Sequence, residues 1–379
     1  MNTYASVWDA SRAWTTHDLE DFSKWVSDSV DKDIFSSELS PYFGIKTDCA
    51  DVIISLMAIY SKENDLELIL KKNGNVLTSN MNLFNSIKDS QDRFLAFLDY
   101  LNDLLSTIDI AMENSVSIAP RTITSGDIYV VQWKNTIVNR HLYLIKNVLP
   151  TGNLRLFSST TPQKVRTLSE RLGMPLNQIT SKPWGFKRVV PANLIDQYKK
   201  SENDEQYKLL QRDVDFFNTI KNSLAIEKDT LNQKLRRKIL NVCDMFLNRD
   251  EEIKYSLREL SKSNICFTDT SFNLHSTYQR DINLKKSLNR LLNGWKKIRN
   301  KNYNIDTDIR LTLDYIIRKE GSIGSAHARR FCSLEVSGHP YDLRHLTYAM
   351  VYNLLSSDPN LSRKARWGLE DHYYVCKIH

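Results

Sequence analysis

The chain has 379 residues, 41% hydrophobic and 26% charged, with only 11 Gly and 9 Pro. That length suits two ordinary domains, and the composition excludes a fibrous repeat or a disordered chain. The net charge of +7 is uneven: residues 1–190 hold 20 Lys and Arg against 21 Asp and Glu, and residues 191–379 hold 32 against 24.

The start, MNTYASVWDASRAW, is polar and Trp-containing, unlike a signal peptide, and no run approaches the ~18 apolar residues of a membrane span. Residues 16–30 place Leu19, Phe22, Trp25, Val26 and Val30 on one side at helical spacing, with Thr15 or Thr16 as N-cap. A second helix is expected from TDCADVIISLMAIYS. A loop at Asn73, Gly74 and Asn75 follows, and then a long amphipathic helix over 91–112 with Phe94, Phe97, Leu98, Leu101, Leu105 and Ile108. Three helices thus precede any strand. From Arg121 the runs RTITSGDIYVVQW, RHLYLIKNV and NLRLFSS are β-branched and aromatic, with Pro150, Thr151 and Gly152 closing a hairpin. A helix at 161–172 and a strand in WGFKRVV complete the first half. Helices followed by an antiparallel sheet predict an α+β fold rather than a doubly wound one. Beyond Pro191 the sequence turns Lys/Glu/Leu-rich, with helical spacing over 193–263 and further helices at 281–299, 306–319, 343–355 and 362–370. The expected division is an α+β domain over 1–190 and a mainly helical, basic domain over 191–379. FNLHSTYQRD, at 272–281, interrupts the helical pattern and is a candidate to return to the first domain.

Catalytic cysteines favour a helix N-terminus, where unpaired N–H groups and the dipole stabilise the thiolate. Cys49 has that place: Thr47 and Asp48 are N-cap types, and Val52, Ile53, Leu56, Met57 and Tyr60 continue at helical spacing. The plainer reading is a small buried hydrophobe. His141 opens the alternating run HLYLI and shares one face with Tyr143 and Ile145. A helix-capping Cys followed by a sheet whose second strand begins with His is the layout that sets a general base beside a thiol.

Three segments in this order, PYFGIKTDCADVI, SGDIYVV and HLYLI, resemble the NlpC-type branch of the papain-like cell-wall peptidases. The matching residues are Asp48-Cys49, Gly126-Asp127 and His141, across roughly residues 40–162. The chain departs from the family in having Ala50-Asp51 where Ser-Gly is usual, and in a longer spacing between Cys49 and His141, which an inserted helix at 91–112 would explain. The resemblance implies a papain-like fold and a Cys49–His141 pair with a third polar residue that orients the imidazole. Asn153, which has the family's spacing and an amide suited to the role, is the first choice, and Ser158, which fits the hairpin register opposite Tyr143, is the alternative. Tyr42 resembles the tyrosine that precedes the family's nucleophile, an oxyanion donor or a packing residue. Asp51 is a candidate for recognising a substrate ammonium, as is Asp48 beside it, or else they favour the helix N-terminus.

The reaction so implied is acyl transfer through a thioester, most directly hydrolysis of a cell-wall (peptidoglycan) peptide amide, in the envelope or after secretion. The alternatives are a deamidase, protease or acyltransferase acting on protein or lipid acyl groups, or an inactive binding protein, with the cytoplasm as the other compartment. The basic half suits an anionic envelope polymer. Nucleic acid is the second candidate, through Lys234, Arg236, Arg237, Lys238, Lys296, Lys297, Arg299 and Lys301 around Trp295. No cofactor is implied. Cys243, Cys266, Cys332 and Cys376 read as ordinary thiols rather than a disulfide framework, and His327, His339, His345 and His372, with Asp342 and Asp371, match no metal-site spacing.

Overall fold

A computed structural model describes residues 6–132, 140–212, 215–317, 324–370 and 373–377. The chain divides into two compact units, Met1–Lys228 and Asp229–His379.

The first unit is α+β. Strand β1 (Arg12–Ala13) pairs in parallel with β2 (Leu66–Glu67). Between them lie helix α1 (Thr16–Ser29) and helix α2 (Asp51–Glu63). Helix α1 begins at a Thr15–Asp18 capping box and buries Leu19, Phe22 and Val26. Helix α2 is apolar on all sides and every residue from Asp51 to Ser61 is buried, so it is the central helix of the core. Burying Ile53, Leu56 and Ile59 contributes about 1.5–3 kcal/mol each. A hairpin of β3 (Ile69–Lys72) and β4 (Asn75–Thr78) turns at Asn73-Gly74, where the sequence predicted a plain loop. The long helix expected over 91–112 is two, α3 (Ser90–Leu104) and α4 (Thr107–Glu113), because Ser106 and Asp109 form a new capping box.

Strands β5 (Ser115–Ser117), β6 (Ile128–Gln132), β7 (Arg140–Val148), β8 (Leu154–Ser158), β9 (Ser169–Leu172) and β10 (Gly185–Val189) form one sheet in the order β5-β10-β6-β7-β8-β9, antiparallel throughout. The helix expected at 161–172 is not formed: Lys164 bridges to Thr47 and the segment ends in β9. Helices α5 (Ala192–Lys199), α6 (Glu205–Leu210) and α7 (Phe216–Leu224) belong to this unit, so the division falls at 228 rather than near 190. Gln206 bonds both the N–H and the C=O of Phe186, and Pro150 accepts N–H bonds from Ile226 and Glu227. The change at Pro191 marks a switch from strand to helix within one core.

The second unit is mainly helical. It contains α8 (Leu231–Ser263), α9 (Asp269–His275), α10 (Tyr278–Ile298), α11 (Thr307–Ile317), α12 (Ser325–Phe331), a hairpin of β11 (Ser333–Val336) and β12 (His339–Asp342), α13 (Leu343–Val351) and α14 (Arg363–Arg366). Residues 272–281 stay within it: the break at Ser276-Thr277 lets both residues bond Ser357 and brings Asp281 to the buried Arg249 at 2.6 Å. Cys243 is disulfide-bonded to Cys332 and Cys266 to Cys376, which corrects the expectation of separate thiols. The partners lie 89 and 110 residues apart in sequence, so spacing carried no trace of the pairing. No helix among the described residues is long and apolar enough to cross a membrane.

Candidate active site

Cys49 lies just ahead of α2 and is the free cysteine of the chain. Its segment is pinned to the far end of β8: Thr47 exchanges backbone bonds with Lys164, and Ser159 Oγ donates to Thr47 O at 2.9 Å. The Asp48 carboxylate accepts from Ala50 N–H at 3.1 Å, and Asp51 accepts from Asp48 N–H at 2.6 Å and from Gln163 Nε2 at 3.1 Å. These bonds brace the turn before α2, whose N-cap is Ala50 without a side-chain cap, rather than the Thr47 or Asp48 cap that the sequence predicted.

The electrostatics run against the expectation of a stabilised thiolate. Burial, followed by the nearby Asp48 charge, pushes the Cys49 thiol up to about 11, although the bond to Thr107 acts the other way. The polar partner of Sγ is Thr107 Oγ1, 3.1 Å away at the start of α4. Burial and the Asp48 charge also raise the Asp51 carboxyl to about 7, and Asp51 Oδ1 is buried with no hydrogen-bond partner among the described residues. Near neutral pH the helix mouth therefore holds a protonated thiol and an Asp51 carboxyl that is only partly ionised.

No hydrogen bond among the described residues joins Cys49 to His141. The His141 ring packs edge-on to Tyr143 at 4.5 Å; Tyr143 contacts Tyr129 at 6.4 Å, and Tyr129 contacts Phe217 of α7 at 5.9 Å. His141 thus lies on the sheet face that α7 covers. Burial pushes its imidazole down to about 4.

The two candidates for the third residue separate clearly. Asn153 is buried in the turn before β8, where Nδ2 donates to Thr151 Oγ1 at 2.9 Å and its carbonyl accepts from Leu149 N–H. That is beyond the C-terminal end of β7, the end opposite His141, so Asn153 cannot orient the imidazole and the choice is corrected. Ser158 follows the Leu144–Phe157 pair, which sets it beside Tyr143, on the strand neighbouring His141. Tyr42 is also corrected: its hydroxyl bonds Glu63, at the C-terminal end of α2, about 18 Å along the helix from Asp51 at its start. Of the Gly126-Asp127 pair, Asp127 is buried in a two-pronged ion pair with Arg188, at 2.8 and 2.9 Å, and serves the sheet.

Thr107 and Gln163 escaped the sequence reading. Thr107 had a detectable mark, since Ser106-x-x-Asp109 is a capping signature inside the supposed long helix; Gln163 had none. In the second unit Trp295 is buried and donates to Asp314, so it offers no stacking surface, and Arg236 and Arg237 pair with Asp308 and Asp229. Among the described residues no three His, Cys, Asp or Glu side chains gather as a metal site; His372 and Asp371 lie outside the described residues.

No family model matches the chain, and neither the curated proteins nor the solved structures contain a match to it.

Proposed function

We propose that the first unit is a papain-like cysteine hydrolase that cleaves an amide bond through Cys49, with His141 as base and a cell-wall peptide as substrate class. The observation that carries this reading is the state of the cysteines: four are tied in disulfides, and the free one stands at the mouth of the buried central helix. A free thiol left over among disulfides is a candidate reactive group. The disulfides favour an oxidising compartment, which agrees with an envelope or secreted protein. Helix, sheet and histidine strand also follow in the order the NlpC resemblance implies.

On this reading the resting arrangement is unassembled. Catalysis requires the His141 imidazole to replace Thr107 as the partner of Sγ. His141 then accepts the thiol proton, the thiolate attacks the carbonyl carbon, and the proton returns to the departing amine as the thioester forms. Water then hydrolyses the thioester, releasing the acid and restoring the thiol.

The test is mass spectrometry of peptides released from purified peptidoglycan, and from a panel of peptide amides and acyl esters, by wild type, Cys49→Ala and His141→Ala. Loss of about 100-fold or more in both variants supports the reading. Hydrolysis that survives Cys49→Ala, or no cleavage of any substrate by wild type, overturns it.

The raised Cys49 thiol favours a second reading, in which Cys49 is a structural thiol and the protein binds an anionic envelope polymer through its basic second unit. Teichoic acid binding that weakens steeply with salt and is unchanged in Cys49→Ala, without hydrolysis, would establish that reading instead.

A further inference from the structure

The second unit carries an exposed stripe of cations that its own acids do not neutralise. Residues 282–305, which include most of α10, hold seven Lys and Arg and no Asp or Glu. Helix α10 buries Leu284, Leu288, Leu291, Leu292 and Trp295 on one side. On the other side Lys286, Arg290 and Lys297 are exposed and follow one another at spacings of four and seven, so they line one stripe about 17 Å long. Among the described residues none of the three has an ion pair, whereas Arg236 pairs with Asp308 at 2.9 Å, Arg237 with Asp229 at 2.7 Å and Arg249 with Asp281 at 2.6 Å. Asp314 of α11 is taken as well, since it accepts from Trp295 on the buried side of α10.

Helix α8 supplies a second edge to the stripe. The two helices run antiparallel, with Arg249 meeting Asp281 near one end and Lys238 meeting Gly294 near the other. Gly294 lies in the interior of α10, where glycine is a poor helix residue. No close approach explains it: outside the helix's own backbone, a Cβ there would meet one atom within 4 Å, Lys238 Nζ at 3.9 Å. A glycine without a tight neighbour leaves a notch in the helix surface. Arg290, four residues before it, and Lys297, three after it, flank the notch, and the exposed Lys238 borders it from α8. Three cations around a bare stretch of backbone make a seat for one anionic group, and Lys286 continues the stripe beyond it.

The positions between these cations, Asn289 and Asn293, are polar, so the stripe presents neither an apolar side chain to enter a bilayer nor a ring on which bases could stack. Its partner is read through charge. A straight stripe suits a flexible single chain that lays successive phosphates along it, and the disulfides of this unit favour an oxidising compartment, where envelope polymers are met.

We propose that Lys286, Arg290 and Lys297 of α10, with Lys238 of α8, hold the phosphodiester chain of a teichoic-acid-type polymer, with one phosphate seated at Gly294. The stripe takes its partner class from the polymer-binding reading and holds whether or not Cys49 is catalytic.

The test is co-sedimentation of the full-length, disulfide-bonded protein with purified cell walls, before and after acid removal of their teichoic acid. Wild type should bind intact walls, lose about tenfold or more in affinity on stripped walls, and weaken at least about tenfold between about 50 and 200 mM salt. Arg290→Gln combined with Lys297→Gln should cost about tenfold. Gly294→Glu should cost as much or more, because it sets a carboxylate into the seat at a position where glutamate suits a helix better than glycine. Arg258→Gln combined with Lys262→Gln removes equal charge from the exposed far end of α8 and should change binding less than about twofold. The comparison of intact and stripped walls stands on wild type even if a variant fails to fold. If wild type binds intact walls and both double variants weaken equally, or neither weakens, the stripe is refuted while polymer binding survives. Retention unchanged by teichoic acid removal, or binding of duplex DNA at about 150 mM salt with none to walls, overturns the stripe and its partner class together.

Discussion

Asp51→Asn should change the stability of the first unit by an amount that depends strongly on pH. The Asp51 carboxyl is buried, and burial with the nearby Asp48 charge raises it from 3.8 to about 7. An unfolded chain keeps an ordinary carboxyl, so between about pH 4 and 7 the folded protein holds a proton that the unfolded chain releases. Stability therefore falls as pH rises through that window, and below it both states are protonated and the cost disappears. At about 1.4 kcal/mol per pH unit, the rise from 3.8 to about 7 caps the cost at about 4 kcal/mol above pH 7. With that ceiling, about 2–4 kcal/mol is the working range. Asparagine mimics the protonated acid: its Oδ1 can still accept from Asp48 N–H and Gln163, and its amide nitrogen takes the place of the unpartnered Oδ1. Cys49 is the free, buried thiol, so a brief pulse of a methanethiosulfonate reagent across a urea series, read by mass spectrometry, counts unfolding of this unit directly. The variant should match wild type at pH 4 and unfold at a clearly higher urea concentration at pH 8. An equal change at both values, or a wild-type pH dependence that survives in Asp51→Asn, would refute the assignment.

His141 should show the opposite slope: burial holds its imidazole near 4 against an ordinary 6.5, so its contribution is fully present above pH 6.5 and is lost as pH falls towards 4. NMR of the ring should show no protonation above about pH 5, and a midpoint near 6.5 would contradict the burial. Reducing the disulfides, whose partners are 89 and 110 residues apart, should weaken the second unit by up to about 4–5 kcal/mol per bond on chain-entropy grounds, with less than additive effect. Amide exchange should then speed up in α8 and not in α2; unchanged exchange in α8 would count against the bonds. Gly152→Ala should cost about 2 kcal/mol or more, because φ there is +70° and a Cβ would lie 2.0 Å from Lys221 O. Exchange should rise first in α7 and the 149–153 turn, and a neutral result would mean that the turn relaxes freely.

What could be read in advance was what local chemistry decides. Helix α1 starts at Thr15 because a capping box and an apolar stripe coincide there, and β6, β7 and β8 stand where β-branched and aromatic residues cluster. Helices α10, α11 and α13 follow their apolar spacing. Hairpin β3–β4 carried a usable mark, Asn73-Gly74 between short runs, but its lysines obscured the alternation. The failures were tertiary. Residues 169–172 form a strand and Lys164 a bridge because the edge of β8 and the backbone of Thr47 offer partners; α5 is tied to the first unit by Asn193 donating to Trp14 O, α6 by Phe186 and Ser117, and the chain just after α7 by Pro150.

The site shows the same division. Alternation along β7 set His141 and Tyr143 on a common face but carried no information on which face would meet α7. Helix-start residues set Cys49 in place, yet the two carboxylates that favour a helix N-terminus also oppose a thiolate beside them. Burial is the largest cause of the raised thiol, with Asp48 next and Asp51 weaker. Removing the Asp51 charge should therefore speed alkylation of Cys49 at pH 8 only a few-fold, since roughly one pH unit of thiol pKa is worth tenfold in thiolate. Opening the cover around Thr107 and Sγ should do far more, and Thr107→Ala, which trims that cover at the cost of a favourable bond, separates the two contributions. If Asp51→Asn accelerated the reaction a hundredfold while Thr107→Ala left it unchanged, charge rather than burial would control this thiol, and activation by substrate would need only to neutralise the helix mouth.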